Sequence, residues 1–264
     1  MSTRVREPAV AGTFYPATPA LLTRVLDELI AQAGAGSLSP KAIVVPHAGY
    51  VYSGPIAAAA YARLTPLRDT VRTIVLLGPA HRVPLAGLAA PSVDAFRSPL
   101  GDVLVDTDAR AVAAAQPGVT IDDGPHTGEH SLEVHLPFLQ RVFTDFRVLP
   151  LVVGRAEADV VGSVLDALWG GPETLIVVST DLSHYERHDE ATAHDLRTVA
   201  AILTGRTDAI GSYDACGAVP LRGLMVAAGR RGMRPLLLDR RTSGDTAGDR
   251  ERVVGYAAFA YTPG

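Results

Sequence analysis

Three apolar runs, each followed by a side chain that can bind a metal, constrain the fold of this chain most strongly. The runs are rich in β-branched residues, as buried strands are. Residues 42–45 precede His47, residues 73–77 precede His81, and residues 175–179 precede Asp181 and His184. In open α/β sheets, ligands bind beyond the carboxyl ends of the strands. The repeated pattern therefore predicts one functional site at one edge of one sheet.

Predicted helices alternate with these strands, and this alternation sets the expected fold class. With 264 residues, of which 47% are hydrophobic, the chain can build a sizeable core. We expect a single α/β domain over residues 1–264, with a mostly parallel or mixed central sheet and helices on both faces. The short apolar pieces 87–91 and 103–105 are predicted to pair as extra strands at an edge.

Composition and charge exclude several classes of function. The net charge of −4 provides no basic field for nucleic acid, and no apolar run approaches the ~18 residues of a membrane span. No Gly-x-Gly-x-x-Gly or P-loop order supports dinucleotide or ATP binding. Cys216 is the only cysteine, which rules out an intrachain disulfide. Because residues 1–16 lack the apolar region of a signal peptide, we expect a cytoplasmic protein with no membrane or nucleic-acid partner.

Cys216 has two interpretations. It stands just before a predicted helix, whose N-terminus would stabilise the thiolate that binds metals or attacks electrophiles. Free cysteines are also common as small buried apolar residues. The sequence has no CxxC pair, which excludes a closed structural zinc site of the usual spacing.

The densest ionisable segment, residues 125–135, holds three histidines and two glutamates. Its side chains suit metal ligands, residues that orient ligands, or proton shuttles, and a solvated polar helix start is the alternative. His184 suits a general acid or base, and Asp181 either orients a ligand or caps the next helix. Tyr50 suits a pocket wall or the core.

Six segments resemble the Memo-like family, in the family's order and across nearly the whole chain. They are AGTFYP (11–16), PHAGY (46–50), LGPAH (77–81), EHSLEVHLP (129–137), STDLSH (179–184) and CG (216–217). The resemblance implies a fold similar to class III extradiol ring-cleavage dioxygenases, in which two histidines and a carboxylate hold non-haem Fe(II). It also implies a radical-SAM protein as a functional partner.

Carried over to this sequence, the family's metal site is His47, His81 and Cys216. The cysteine replaces the dioxygenase carboxylate, and a thiolate is a softer ligand that suits copper, zinc or iron. We expect iron or copper, with zinc as a third choice. His184 matches the acid/base histidine of the dioxygenases, and His135 is a second candidate for that role. The remaining residues implied at the site are supporting polar or pocket residues: Asp181, Glu133, His130 and Tyr50.

Four functions are open at this point. The first is a non-haem, metal-dependent redox enzyme, dioxygenase-like, that acts on a small molecule while His184 moves protons. The second is a non-catalytic copper- or iron-binding protein or metal chaperone. The third is a scaffold that binds a peptide or protein in the former active-site pocket. The fourth is a zinc hydrolase in which Glu133 or His184 activates water.

Overall fold

The computed structural model describes residues 3–34, 36 and 38–264. Strands β1 to β12 are Val5–Arg6, Ala42–Val45, Thr73–Pro79, Leu88–Ala90, Ala95–Ser98, Gly101–Leu104, Val119–Ile121, Arg147–Val153, Thr174–Ser179, His184–Glu186, Met233–Thr242 and Val253–Pro263. Helices α1 to α7 are Pro19–Ala33, Tyr50–Tyr61, Thr107–Ala114, Leu136–Val142, Ala158–Ala167, His188–Leu203 and Ala218–Gly229. Short 3₁₀ turns lie at Ala62–Leu67, Gly124–His126, Glu133–His135, Thr207–Ala209 and Ser243–Asp245.

A mixed sheet forms the centre of the fold. Within the described residues its strands follow the order β10-β12-β2-β9-β3-β8-β4-β7, and β11 pairs with β12. The neighbours β2, β9, β3 and β8 run parallel to one another. By contrast, β12 is antiparallel to β2, and β4 is antiparallel to β8. The four parallel strands therefore end at the same edge.

Helices cover both faces of this sheet because both sets of alternating strand side chains are apolar. In β2, Ile43 and Val45 belong to the core cluster built with α1, α2 and α4. Ala42 and Val44 belong to the cluster built with α5, α6 and α7. The predicted α/β fold, with a mixed central sheet flanked by helices, is confirmed. None of the described helices is both long and apolar enough to cross a membrane.

The predicted edge pair of residues 87–91 and 103–105 is wrong. Strand β4 lies in the main sheet between β8 and β7, whereas β6 pairs with β5 in a separate sheet of order β1-β5-β6. A tight turn at residues 99–100 joins β5 to β6, and Gly101 follows it with a φ of 116°, which glycine adopts without strain. The hairpin therefore gives β6 a partner that is adjacent in sequence.

One buried carboxylate, that of Glu133, holds the N-terminal segment against the core. It accepts hydrogen bonds from the backbone N–H groups of Ala9 (2.7 Å) and Val10 (3.0 Å). The Tyr15 hydroxyl donates a third bond at 2.5 Å, and Arg6 forms an ion pair with the same carboxylate. Because a fully buried charge is tolerated only when it is paired and hydrogen-bonded, this cluster fixes the path of an otherwise irregular segment.

Removing this carboxylate should destabilise the protein strongly. We expect Glu133→Ala to lower the free energy of unfolding by about 3–5 kcal/mol, because the buried Arg6 guanidinium loses its ionic partner. The control is Glu28→Ala, which removes a glutamate whose side chain is 62% exposed. It should change the free energy of unfolding by less than about 0.5 kcal/mol. Chemical denaturation compares the two, and equal losses would contradict the role given to Glu133.

Candidate metal centre

Three neighbouring parallel strands present the candidate site at their carboxyl ends. His47 follows β2, Asp181 follows β9 and His81 follows β3. The sheet order places β9 between β2 and β3, although β9 is the last of the three along the chain. The structure thus brings the three strand ends to one edge, as the sequence pattern predicts.

His47, His81 and Cys216 form a group whose ligand atoms all lie within 4.8 Å of one another. The Nε2 atom of His47 is 3.4 Å from the Sγ atom of Cys216. The rings of His47 and His81 meet edge to face, with 5.1 Å between their centroids. Two imidazoles and a thiol form a donor set that suits iron, copper or zinc. The described residues therefore contain a candidate metal site.

Cys216 reaches this site because the loop before α7 pairs with the chain that follows β9. The Cys216 N–H donates to the Asp181 carbonyl at 3.3 Å, and the Asp181 N–H donates to Sγ at 3.3 Å. Gly217 allows the close approach. A Cβ atom at Gly217 would lie 2.5 Å from the Ser179 carbonyl oxygen and 2.7 Å from the Cβ atom of Thr180. The thiol is therefore placed by a contact that leaves no room for a side chain at the next residue.

Burial sets the protonation of the cysteine and of its neighbour Asp181. Burial, with a further contribution from the Asp181 carboxylate, raises the pKa of the Cys216 thiol to about 12. Burial also raises the pKa of Asp181, although a hydrogen bond from the His47 N–H (2.7 Å) opposes this shift. In the metal-free protein, desolvation of the thiol therefore outweighs the thiolate stabilisation expected from a helix N-terminus.

Glu129 orients the imidazole of His81 through a buried carboxylate. It accepts the His81 backbone N–H (2.6 Å), lies 3.0 Å from Nδ1 of the His81 ring, and accepts the N–H groups of His130 and Ser131 (both 2.9 Å). Burial alone would raise the pKa of Glu129, but the hydrogen bonds from His81 and Ser131 lower it to about 2. As an ionised acceptor, Glu129 keeps the His81 proton on Nδ1 and leaves Nε2 free to bind a metal.

His130 adds a third imidazole beside the other two. Its ring stacks on His81 at 4.8 Å, lies 5.5 Å from the His47 ring, and contacts Phe14 at 4.9 Å between centroids. Burial lowers the pKa of His130, although the Glu129 charge opposes this. His81, Glu129 and His130 also form a group with ligand atoms within 4.8 Å. The Glu129 carboxylate already accepts several hydrogen bonds. The group His47, His81 and Cys216 is therefore the better candidate for a metal site.

A cavity of about 900 Å³ opens onto this group. The predicted site residues that line it are His47, His81, His130, Asp181, His184 and Cys216. The His184 ring is exposed, so it lies where the cavity meets solvent. Arg82 and Arg252 also line the cavity, and among the described residues no carboxylate forms a salt bridge with either of them. The acidic lining residues are hydrogen-bonded elsewhere: Glu186 to His194, Asp249 to the backbone N–H groups of Glu251 and Arg252, and Asp181 to the backbone N–H of His47. The two guanidinium groups suit an anionic ligand.

Three other predicted site residues lie behind the cavity wall. The Tyr50 hydroxyl is buried and donates to a backbone carbonyl at 2.6 Å, and Glu133 holds the N-terminal segment. His135 is 1% exposed, and its ring contacts Ser179 (2.8 Å) and Tyr61 (3.0 Å). Glu133 and His135 point inward because their turn leads directly into the buried helix α4, whereas Tyr50 begins α2. The predicted catalytic role of His135 stays a prediction.

The supporting residue that sequence reasoning missed is Ser179. Its Oγ atom lies between Nδ1 of His47 (2.6 Å) and Nε2 of His135 (2.8 Å). In the sequence it only ends the predicted strand 175–179. The available signal is a hydroxyl placed directly after four apolar residues, which by itself does not indicate which histidines it meets.

His194 links the strand that carries His184 to the loop before Cys216. Its Nδ1 atom is 2.8 Å from a Glu186 carboxylate oxygen, and its Nε2 atom is 2.8 Å from one of Asp214. Burial alone would lower the pKa of His194, but the hydrogen bonds to Asp214 and Glu186 outweigh it and raise the pKa. When it is protonated, the ring donates to both carboxylates beside the cavity.

Comparisons with known proteins find relatives along nearly the whole chain. A family model described as Memo-like protein matches residues 6–260. A MEMO1 family protein of Aquifex aeolicus is 37% identical over 273 residues, which cover 98% of this chain and 99% of the relative. One of Aeropyrum pernix is 37% identical over 280 residues, covering 97% and 99%. One of Methanosarcina acetivorans is 38% identical over 273 residues, covering 97% and 98%.

Among solved structures, the crystal structure of the uncharacterized protein JW3007 from Escherichia coli K12 is similar, with a TM-score of 0.52. The two sequences are 15% identical, and the similarity covers 83% of this chain and 98% of the other. At this identity the likeness concerns the fold alone. It agrees with the mixed central sheet flanked by helices.

Filling the space at Gly217 should disturb the cysteine. We expect Gly217→Ala to push α7 away from β9, since the new methyl group would overlap the Ser179 carbonyl oxygen. Overpacking of this kind costs about 1–3 kcal/mol of stability, and Cys216 should react faster with a thiol reagent. Gly229→Ala is the control, because a Cβ at that end of α7 meets nothing within 4 Å. Unchanged Tm and thiol reactivity in Gly217→Ala would contradict the close approach.

The His194 bridge should contribute stability that is lost as pH rises. A raised folded pKa means that the proton is bound more tightly in the folded state. The contribution is therefore complete below the unfolded pKa of about 6.5 and disappears as pH rises through the higher folded value.

Wild type should consequently exceed His194→Gln in free energy of unfolding by more at acidic than at mildly alkaline pH. His188, whose pKa hydrogen bonds to Asp245 and Asp189 also raise, is present in both proteins, so its effect cancels. Denaturation curves across this pH range measure the difference, and a gap that does not vary with pH would count against the bridge.

Proposed function

This chain belongs to the Memo-like protein family, and we propose that it binds one transition-metal ion through His47, His81 and Cys216. The observation that carries the proposal is the convergence of these side chains, which come from distant segments and offer ligand atoms within 4.8 Å of one another. Imidazole and thiol groups brought this close at the carboxyl edge of a sheet are suited to sharing a cation.

The donor set selects the class of metal. Two imidazoles and one thiolate suit iron or copper, with zinc as a third choice. Burial lowers the pKa of the His47 ring well below its usual value, which favours the neutral form that binds metals. When bound, the metal would supply redox or Lewis-acid chemistry.

Buried carboxylates prepare both histidines for this role. Asp181 accepts the backbone N–H of His47 at 2.7 Å. Glu129 accepts the backbone N–H of His81 at 2.6 Å and lies 3.0 Å from its ring Nδ1. The contact of Glu129 with the His81 ring fixes the orientation of that imidazole and strengthens its basicity, whereas Asp181 fixes the backbone that carries His47. The site is thus held in shape by the chain itself.

Other residues around the cavity suit the handling of a ligand. Phe14 and His130 form one side of the cavity, with 4.9 Å between their ring centroids. His184 is exposed within the cavity and can hold or release a proton at a ring nitrogen. His184 is therefore the residue to which we assign proton transfer.

Metal content should depend on the three proposed ligands. We expect wild type to retain close to one ion per chain after loading and dialysis, and His47→Ala and Cys216→Ser to retain a small fraction of that. His188→Ala is the matched control, because this histidine pairs with Asp245 outside the cavity. Elemental analysis across iron, copper and zinc measures the content. Equal metal in all four proteins would refute the proposal and favour a scaffold that binds a peptide or protein.

A specific observation favours a second candidate, a metal-dependent redox enzyme related to the dioxygenases. The site lies in a cavity of about 900 Å³ with two further imidazoles, those of His130 and His184. Storage or transfer of a metal needs neither the space nor the extra histidines. Arg82 and Arg252 at the cavity wall suit a small organic anion as substrate.

Oxygen uptake separates this enzyme from a non-catalytic metal protein. Iron-loaded protein is given a neutral catechol and one that carries a carboxylate. An enzyme should consume oxygen, should prefer the carboxylated compound, and should lose that preference in Arg252→Gln. His184→Gln should lower turnover while metal content stays unchanged. Full metal content with no uptake on either compound would favour the non-catalytic alternative.

From the family resemblance we also propose a radical-SAM protein as functional partner and a cytoplasmic location. Affinity capture of the tagged chain from its own cells, followed by mass spectrometry, tests the partner. Recovery of a radical-SAM protein with the wild type supports this assignment, and its absence from cross-linked samples would contradict it.

A further inference from the structure

The hydroxyl group of Ser179 contacts the ring of His47 at Nδ1, the nitrogen opposite the one that faces Cys216. The Oγ atom of Ser179 lies 2.6 Å from Nδ1 of His47 and 2.8 Å from Nε2 of His135. It also donates to the Ser131 carbonyl oxygen at 2.6 Å. None of the four residues is more than 2% exposed. Bulk water therefore cannot replace any of these hydrogen bonds.

Counting donors and acceptors shows where each proton lies. The Ser131 carbonyl can only accept, and the Ser179 hydroxyl lies 2.6 Å from it, so we assign the hydroxyl proton to this bond. The Ser179 oxygen then has only lone pairs to offer to the two rings. Each ring must donate to it, which places one proton on Nδ1 of His47 and another on Nε2 of His135. The two histidines are thus in opposite tautomers.

The far end of the network agrees with this assignment. A neutral His135 that is protonated on Nε2 has a lone pair on Nδ1. The Tyr61 hydroxyl, which is fully buried in α2, lies 3.0 Å from that nitrogen and donates to it. Each polar hydrogen of the network is then donated once, and both ring nitrogens of His135 have a hydrogen-bond partner. A fully satisfied buried network of this kind is rigid.

We propose that Ser179 is the positioning residue that fixes the tautomer of His47, and that Ser131, His135 and Tyr61 hold the serine in place. With the proton on Nδ1, the lone pair of His47 is on Nε2, the atom that lies 3.4 Å from Sγ of Cys216. The functional meaning rests on the proposed metal binding by His47, whereas the network itself does not.

The opposite tautomer of His47 fits the observed contacts less well. Its Nδ1 lone pair would face a lone pair of the Ser179 oxygen, or the serine would turn its proton to the ring and leave the buried Ser131 carbonyl without that donor. Its Nε2 proton would also occupy the position from which the ring binds a metal. The geometry therefore selects the metal-binding form before any metal arrives.

Ring ¹⁵N chemical shifts of the metal-free protein at neutral pH test the tautomers directly, because protonated and unprotonated ring nitrogens resonate far apart. We expect the proton on Nδ1 in His47 and on Nε2 in His135. The variants His47→Gln and His135→Gln assign the signals. A wild-type His47 ring protonated on Nε2 would overturn the proposal.

Ser179→Ala tests the function of the hydroxyl. The His47 ring should lose its single tautomer, and metal affinity should fall about 10–100-fold, as for other partners that orient metal-binding histidines. Ser183→Ala removes another buried serine hydroxyl, outside this network, and should change neither property. Ser179→Thr keeps a hydroxyl and should keep the tautomer, which separates loss of the hydrogen bond from a folding defect.

Two results separate the network from the proposed function. Weaker metal binding in Ser179→Ala with an unchanged His47 tautomer would overturn the proposal, because the serine would then act through packing alone. A wild-type protein that binds no metal but shows the two opposite tautomers would support the network and contradict metal binding.

Discussion

The pairing of the Cys216 segment with the chain after β9 is the contact on which the candidate site depends. Asp181 and Cys216 are 35 residues apart, yet the N–H of each bonds to the other residue. The Gly217 N–H also donates to Oγ1 of Thr180 at 2.9 Å. Because backbone hydrogen bonds place the thiol, its distance from His47 is set by how closely α7 approaches the sheet. A side chain at Gly217 would change that distance.

Residues 129–135 provide buried polar partners around the candidate site. Buried polar groups are tolerated only when each has a hydrogen-bond partner, and every second residue of this segment provides one. Each satisfies a different buried group: Glu129 holds His81, Ser131 accepts from Ser179, Glu133 binds the N-terminal segment, and His135 donates to Ser179. The ionisable run that stood out in the sequence therefore positions the side chains proposed to bind a metal, and only His130 of these residues lines the cavity.

Local patterns predicted the three strands that lead to the candidate site and their shared edge, because burial on both faces produces apolar runs that are visible in the sequence. β2 has the predicted bounds, Ala42–Val45. The pairing partner of β6 and the inward direction of His135 could not be predicted in the same way, since both depend on contacts between distant segments. The role of Ser179 depends on a carbonyl 48 residues away. No local pattern around a serine contains that information.

The floor and the rim of the cavity differ in burial, and this difference divides the tasks proposed for them. On the floor, His47 and Asp181 are buried and hydrogen-bonded. At the rim, Tyr185 is 64% exposed with a φ of 63°, an uncommon backbone conformation for a bulky residue. The guanidinium of Arg252 lies 5.2 Å from its ring centroid, and the pairing of β10 with β12 holds the residues on both sides. Changes at the rim can therefore alter which molecule enters without moving the atoms that would hold a metal.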